Sequence, residues 1–357
     1  MEKEIWKKPL RKCEIGGEAL IEGVMMRGNN KMATAIRKPN GEIVVETVDY
    51  IPITKKIFIF KIPIIRGAIS MLESMYVGMK VLMNSAEAVD FEEEEESKID
   101  KFLKKMFGDN FFQVMLYSSL VIALVFGIGI FMLLPNWIAG WFSFDKSTTA
   151  GTILANLIEG ALRLIIFFSY IYLVSKNKEI KRVFEYHGAE HNAIYTYENE
   201  EELTPDNAIK HTTLHPRCGT TYLFVVVITS ILLFSFVRWQ SPLVNMGIRL
   251  ALLPLVAGIA YEIFKLAAKT SFKPLRAISY PGLMMQKITT QPPDKEQLEV
   301  ALAALKAVVT DEQEKKIEDK QDTSAEDKQD TNAEDKQDTN AENKQDTNAE
   351  DKPETST

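Results

Sequence analysis

The chain has 357 residues, 46% of them hydrophobic and 25% charged, and a net charge of -7. The negative charge gathers in residues 311–357 while the first 110 residues are rich in Lys and Arg, so the balance carries no nucleic-acid signature and no nucleic-acid partner is expected. Cys13 and Cys218 are too few for a disulfide framework, and the opening MEKEIWKKPLRK lacks the apolar run of a cleavable signal.

Residues 1–56 are expected to form a small β-rich unit. Pro39-Asn40-Gly41 is a turn signal between two β-prone runs, which predicts a hairpin. The glycine-punctuated GGEALIEGVMMRG ahead of it suits either tight turns in a sheet or a backbone that approaches a ligand closely. Residues 57–89 are apolar but interrupted by Lys61, Pro63, Arg66, Glu73 and Lys80. Ile65, Ile69, Leu72, Met75, Met79 and Leu82 recur at helical spacing, which predicts an amphipathic helix at the membrane interface rather than a span. Residues 90–110, with FEEEEES followed by lysines, form a charged linker.

Four later segments, 111–134, 152–175, 220–237 and 246–268, are apolar over roughly the twenty residues that a bilayer-crossing helix needs. Lys and Arg cluster before the first, between the second and third, and after the fourth. That alternation predicts a multi-pass protein of the cell (plasma) membrane with both termini and the loop 176–219 in the cytoplasm. Glu159 and Arg163 stand four residues apart in the second span and are expected to pair inside the bundle; Arg249 and Glu262 lie in the fourth. Residues 269–310 follow as a cytoplasmic segment, where Asp294 and Gln297 predict a capped amphipathic helix over KEQLEVALAALKAV. From 311 to 357 the period-eight EDKQDTNA repeat has almost no large apolar residue and is expected to be disordered.

The loop 176–219 holds every histidine of the chain: His187, His191, His211 and His215, with Cys218 three residues further on. His187 and His191 are spaced to project from one helix face and chelate one ion. Glu190 between them completes H-x-x-E-H, the pattern in which a glutamate activates a metal-bound water. His211 and His215 repeat the spacing after Thr204-Pro205, a helix-start signal that puts His211 on a short helix and His215 just past its end. The five side chains are candidate ligands for a divalent transition metal, Zn²⁺ first, and Glu190 is the candidate general base.

The strings GGEALIEGVMMRG, EYHGAEHNAIYTYE, KHTTLHPRCGTTYLFVVV and SYPGLMMQKITTQPPDKEQLEVA resemble the YqhQ-like family, bacterial membrane proteins of unknown function described as predicted metal-dependent enzymes. The resemblance covers about residues 10–308 and implies that His187, Glu190, His191, His211, His215 and Cys218 belong to the family motif. Asn192 departs from it, where a lysine is expected. The expected architecture is mainly α: a four-span transmembrane helix bundle with a cytoplasmic β-rich unit, a helical His-rich loop and a disordered tail. The expected function is membrane metal binding in contact with the lipid bilayer, with hydrolysis of a membrane-resident substrate at the cytoplasmic face. The alternative is a non-catalytic scaffold or assembly factor with a structural metal site.

Overall fold

A computed structural model describes residues 10, 15–28, 30–89, 111–142, 148–237, 242–269 and 273–309; the linker 90–110 and the tail 311–357 lie outside them. The N-terminal unit is a four-stranded antiparallel meander, β1 (Gly16–Leu20), β2 (Gly23–Arg27), β3 (Lys31–Arg37) and β4 (Ile43–Asp49), paired in sequence order. The predicted hairpin is β3–β4: Gly41 takes φ +86° and donates its N–H to Lys38 O at 2.8 Å, a backbone shape that favours glycine. In the β1–β2 turn Glu22 has φ 51°, and its carboxylate is held by Arg182 Nη2 at 2.6 Å.

β2 is buried along almost its whole length, whereas β4 is largely exposed. The covering element is α11 (Lys295–Val308). It starts at the expected capping box: Gln297 N–H donates to Asp294 Oδ1 at 2.8 Å and Asp294 N–H to Gln297 Oε1 at 3.0 Å. Its buried Leu298, Leu302 and Leu305 pack with Val24, Met26, Ala33 and Ala35 of the sheet and Ala189, Ala193 and Ile194 of α6 (Lys178–Glu198). Each such leucine contributes about 1.5–3 kcal/mol of burial, so this core holds α6 rigidly against the sheet.

Before the sheet core is reached again, the chain builds the apolar bundle. A short α1 (Ile53–Lys56) and a 3₁₀ turn, Phe58–Lys61, lead into α2 (Ile65–Ala88), the helix expected from the spacing in 57–89. α3 (Phe111–Ile128) continues through a π-helical turn, Gly129–Leu133, into α4 (Leu134–Ala139). α5 (Thr149–Val174) precedes α6; α7 (Pro205–Ala208) lies between α6 and α8 (Gly219–Ser235); α9 (Pro242–Lys269) and α10 (Lys273–Thr289) follow.

Among the described residues three helical stretches are long and apolar enough to cross a membrane: Val121–Ala139, Thr149–Val174 and Val244–Ala267. The four-span expectation is corrected accordingly. The run 220–237 is apolar as predicted, but its helix has only 17 residues. Cys218 caps it at one end and the backbone leaves the helix at Phe236, so it measures about 26 Å against a hydrocarbon core of about 30 Å.

Glu159 and Arg163 pair as expected, Nη2 to Oε1 at 2.8 Å. Arg249 of α9 joins the same carboxylate, Nη2 to Oε2 at 2.8 Å, and both guanidiniums lie over the Phe234 ring, 5.9 and 5.6 Å from its centroid. The π-helical turn supplies a further acceptor: Phe131 O, displaced from the regular ladder, takes Arg163 Nε–H at 2.9 Å. α4, α5, α8 and α9 are thereby tied at one level.

Candidate metal centre

His187, Glu190 and His191 lie on the second half of α6, where nearly every residue is buried. The helix begins at Asn177, whose Oδ1 accepts from the Glu179 and Ile180 N–H groups at 2.8 and 3.3 Å. At Gly188 another segment crosses it so tightly that a Cβ would overlap Gln291 O. Gln291 N–H donates to Phe184 O at 2.9 Å. Glycine is therefore what lets the end of α10 reach His187.

Both imidazoles are oriented by backbone carbonyls. His187 Nδ1 lies 2.9 Å from Thr289 O, and His191 Nδ1 is bonded to Thr213 O. A carbonyl can only accept, so Nδ1 carries the hydrogen in each ring and the Nε2 lone pair is left for another partner. Cys218 Sγ is 3.2 Å from His187 Nε2. It caps α8 and accepts the Thr220 N–H at 3.3 Å. One donor atom from each of His187, His191 and Cys218 falls within 4.8 Å of the others.

This donor set fits a metal. Two Nε2 nitrogens and one sulfur are ligands that zinc accepts, and histidines fixed through Nδ1 by carbonyls are the support that metal-binding imidazoles ordinarily have. Glu190 stands at the edge of the group, its Oε2 3.4 Å from His191 Nε2. Burial pushes its carboxyl up to about 7, opposed by His187 and the Gly17 N–H.

The other two candidate histidines are placed differently. α7 ends at Ala208, so the helix expected to carry His211 stops short of it and the second i, i+4 pair has no common helix face. His211 Nε2 meets Glu201 Oε2 at 3.0 Å. His215 accepts an N–H of Arg217 at Nε2, 3.3 Å away, with Glu198 Oε2 at 3.9 Å. Its backbone is gripped by Gln286, N–H to Oε1 at 2.8 Å and C=O from Nε2 at 2.9 Å. Burial pushes its imidazole down to about 4, with Glu198 pulling the other way. Its ring lies 5.4 Å from that of His191, so it walls the cluster without entering the donor group.

The sequence left the role of GGEALIEGVMMRG open; the fold brings it to the centre. β1 runs against α6 so closely that a Cβ on Gly17 would fall 2.6 Å from Glu190 Cγ. The next residue, Glu18, is a second carboxylate beside the donors. Burial raises its carboxyl, Arg27 opposes this, the Glu190 charge adds to the rise and His187 lowers it. The carboxylate rests on α2 at Gly78, where a Cβ would lie 2.5 Å from Oε1. Its glycine neighbour was the one available signal, and it did not single out a glutamate.

A family model described as "Protein of unknown function (DUF1385)" matches residues 62–311. The protein described as "Uncharacterized protein YqhQ" from Bacillus subtilis (strain 168) is 33% identical over 301 residues, covering 80% of this chain and 89% of that one. No solved structure matches the chain significantly. With more than half of its length under one family model and the motifs of the histidine loop inside it, the chain belongs to the DUF1385 family.

Proposed function

We propose that the chain is an integral membrane metal protein in which His187, His191 and Cys218 hold a divalent transition metal, Zn²⁺ by preference, and Glu190 acts as general base in a hydrolytic reaction. One observation carries the reading: both imidazoles are pinned through Nδ1 to carbonyls, His187 Nε2 meets the cysteine sulfur, and a donor atom of His191 falls within 4.8 Å of both. Three protein ligands leave a fourth tetrahedral position, where such a metal, when bound, lowers the pKa of water. Glu190 has the position and proton affinity to take up the proton that water releases near neutral pH.

Lys176, Lys178, Lys181 and Arg182 follow α5 directly, which supports placing the centre at the cytoplasmic face. A site so close to the apolar bundle suits a substrate resident in the membrane. A second reading has its own observation: the donor group gathers α6, the start of α8, the 213 loop and the end of α10, as a structural metal would.

Metal content of full-length protein purified without chelator tests the centre. About one equivalent is expected, lost in His187→Ala and in Cys218→Ser; less than about a tenth of an equivalent of Zn, Fe, Mn or Ni overturns the proposal. Glu190→Gln separates the two readings. Retained metal with lost cellular function supports catalysis, whereas retained metal with full function makes the site structural.

A further inference from the structure

Between β4 and α2 lies a segment that the metal centre does not use. Residues 51–66, IPITKKIFIFKIPIIR, hold no acidic residue and seven isoleucines. Its apolar side chains are turned outward: Phe58 is 80% exposed and Ile59 59%, with Ile51, Ile57, Ile62 and Ile64 also exposed. Outside a bilayer, this much contiguous apolar surface is a liability.

The packing of the segment fixes its depth. A Cβ on Gly258 of α9 would come within 2.5 Å of Ile64 Cγ2, and one on Gly67 of α2 would lie 3.0 Å from Gly258 Cα, so the two glycines form the crossing point of α2 and α9. Gly258 precedes Ala267, the end of the apolar stretch, by nine residues, about 13 Å along the helix. Ile64, which turns the chain at φ 71°, therefore sits well inside the membrane-crossing part of α9. From there α2 climbs outward. Arg66 clasps Glu262 with Nη2 to Oε2 at 2.6 Å, Met71 Sδ meets Tyr222 Oη at 3.5 Å, and Gly78 reaches Glu18 in the sheet. The inward limb is tied to this helix near its exit: Ile53 N–H donates to Glu73 Oε1 at 2.9 Å. Glu73 stands nine residues, again about 13 Å, beyond Ile64.

We propose that residues 51–66 and the first turns of α2 form a re-entrant hairpin that dips into one leaflet beside α9 and returns on the same side. Its occupant surface is the acyl chains of that leaflet. Lys55, Lys56 and Lys61 reach back along their stems toward lipid phosphates. Several of the hairpin's backbone N–H groups are taken up within its own short turns, Lys55 by Pro52 O, Ile57 by Ile53 O, Phe60 by Ile57 O and Ile62 by Ile59 O, which lowers the cost of immersion in hydrocarbon. Its outward limb ends at Gly78, so the lipid-immersed element forms the wall on which Glu18 rests.

Full-length Cys13→Ser protein in nanodiscs of phosphatidylethanolamine and phosphatidylglycerol tests the depth. Single nitroxide labels are placed through cysteine at Phe58 and at Leu72, with Val48 of β4 as the water-facing and Leu124 of α3 as the lipid-facing reference, all exposed. Unsubstituted Cys13→Ser protein serves as the blank for Cys218. At Phe58, collision with oxygen is expected to exceed collision with a water-soluble nickel chelate severalfold, as at Leu124, with Leu72 shallower. Chelate-dominated collision at Phe58, as at Val48, overturns the hairpin. So does low access to both agents, which would mean that protein covers the patch, and so does a Leu72 label deeper than Phe58. If the label at Phe58 prevents folding, the same comparison at Ile59 decides.

Discussion

Glu159→Gln is the substitution whose cost the bundle makes most definite. One carboxylate, 1% exposed, neutralises two guanidiniums that are 9% and 4% exposed. The cluster already carries one surplus positive charge, and Arg249 Nε has no partner among the described residues. Removing the carboxylate charge leaves Arg163 and Arg249 facing each other about 6 Å apart, since both donate to the same oxygen. At an effective dielectric constant of about 20 their repulsion is on the order of 3 kcal/mol. Breaking a buried pair by deleting one partner costs roughly 3–5 kcal/mol by itself, and the two figures overlap because both count the uncompensated charge. A loss of about 4 kcal/mol follows, read as the shift in reversible unfolding of purified protein in mixed micelles titrated with SDS. Arg249→Gln is the control. It deletes three hydrogen bonds and yet removes the surplus charge, so it should cost less than half as much. A Glu159→Gln loss under about 1 kcal/mol, or an Arg249→Gln loss larger than it, refutes the charge accounting.

Two further predictions concern pH and have opposite signs. His215, at about 4 when folded and 6.5 otherwise, favours the folded state above pH 6.5 and loses that contribution as pH falls toward 4. At pH 5 the loss is about 2 kcal/mol, and chelator-treated His215→Asn protein should lack this part of the acid decline in thermal unfolding. Glu190, at about 7 against an ordinary 4.5, has its full stabilising contribution below pH 4.5 and loses it as pH rises through 7. Metal-free Glu190→Gln should accordingly be more stable than the parent at pH 8, by on the order of 2–3 kcal/mol; an equal or lower unfolding temperature counts against the buried carboxylate. Gly188→Ala inserts a methyl group into the Gln291 carbonyl contact. It should cost about 1–3 kcal/mol and at least halve bound metal, measured by elemental analysis, because it displaces the Thr289 carbonyl that orients His187.

What the sequence made legible is what depends on near neighbours. The capping box at Asp294, the turn at Gly41, the helix from Ile65 and the Glu159–Arg163 pair all involve residues within five positions of each other, where spacing alone sets the geometry. The His187–His191 pair was legible for the same reason, and Cys218 through its place in the same loop. Spacing failed where it was asked to stand for a helix that does not continue. His211 and His215 share four-residue spacing, but α7 stops at Ala208, and what then places them is Glu201, Arg217 and Gln286. The three-span count has a similar root, because an apolar run bounds a helix from above and the backbone at Cys218 and Phe236 shortens it. Glu18 was missed on other grounds. It lies some 170 residues from His187, and only the core between β2, α6 and α11 brings the two together. That same core is why the GGE segment lies against the cluster: a glycine at 17 is required because α6 presses Glu190 against it, and the next residue, Glu18, feels the charge of both Glu190 and His187. The His187, His191 and Cys218 cluster is therefore assembled from chain segments distant in sequence, and its second carboxylate arrives with the β-sheet rather than with the histidines.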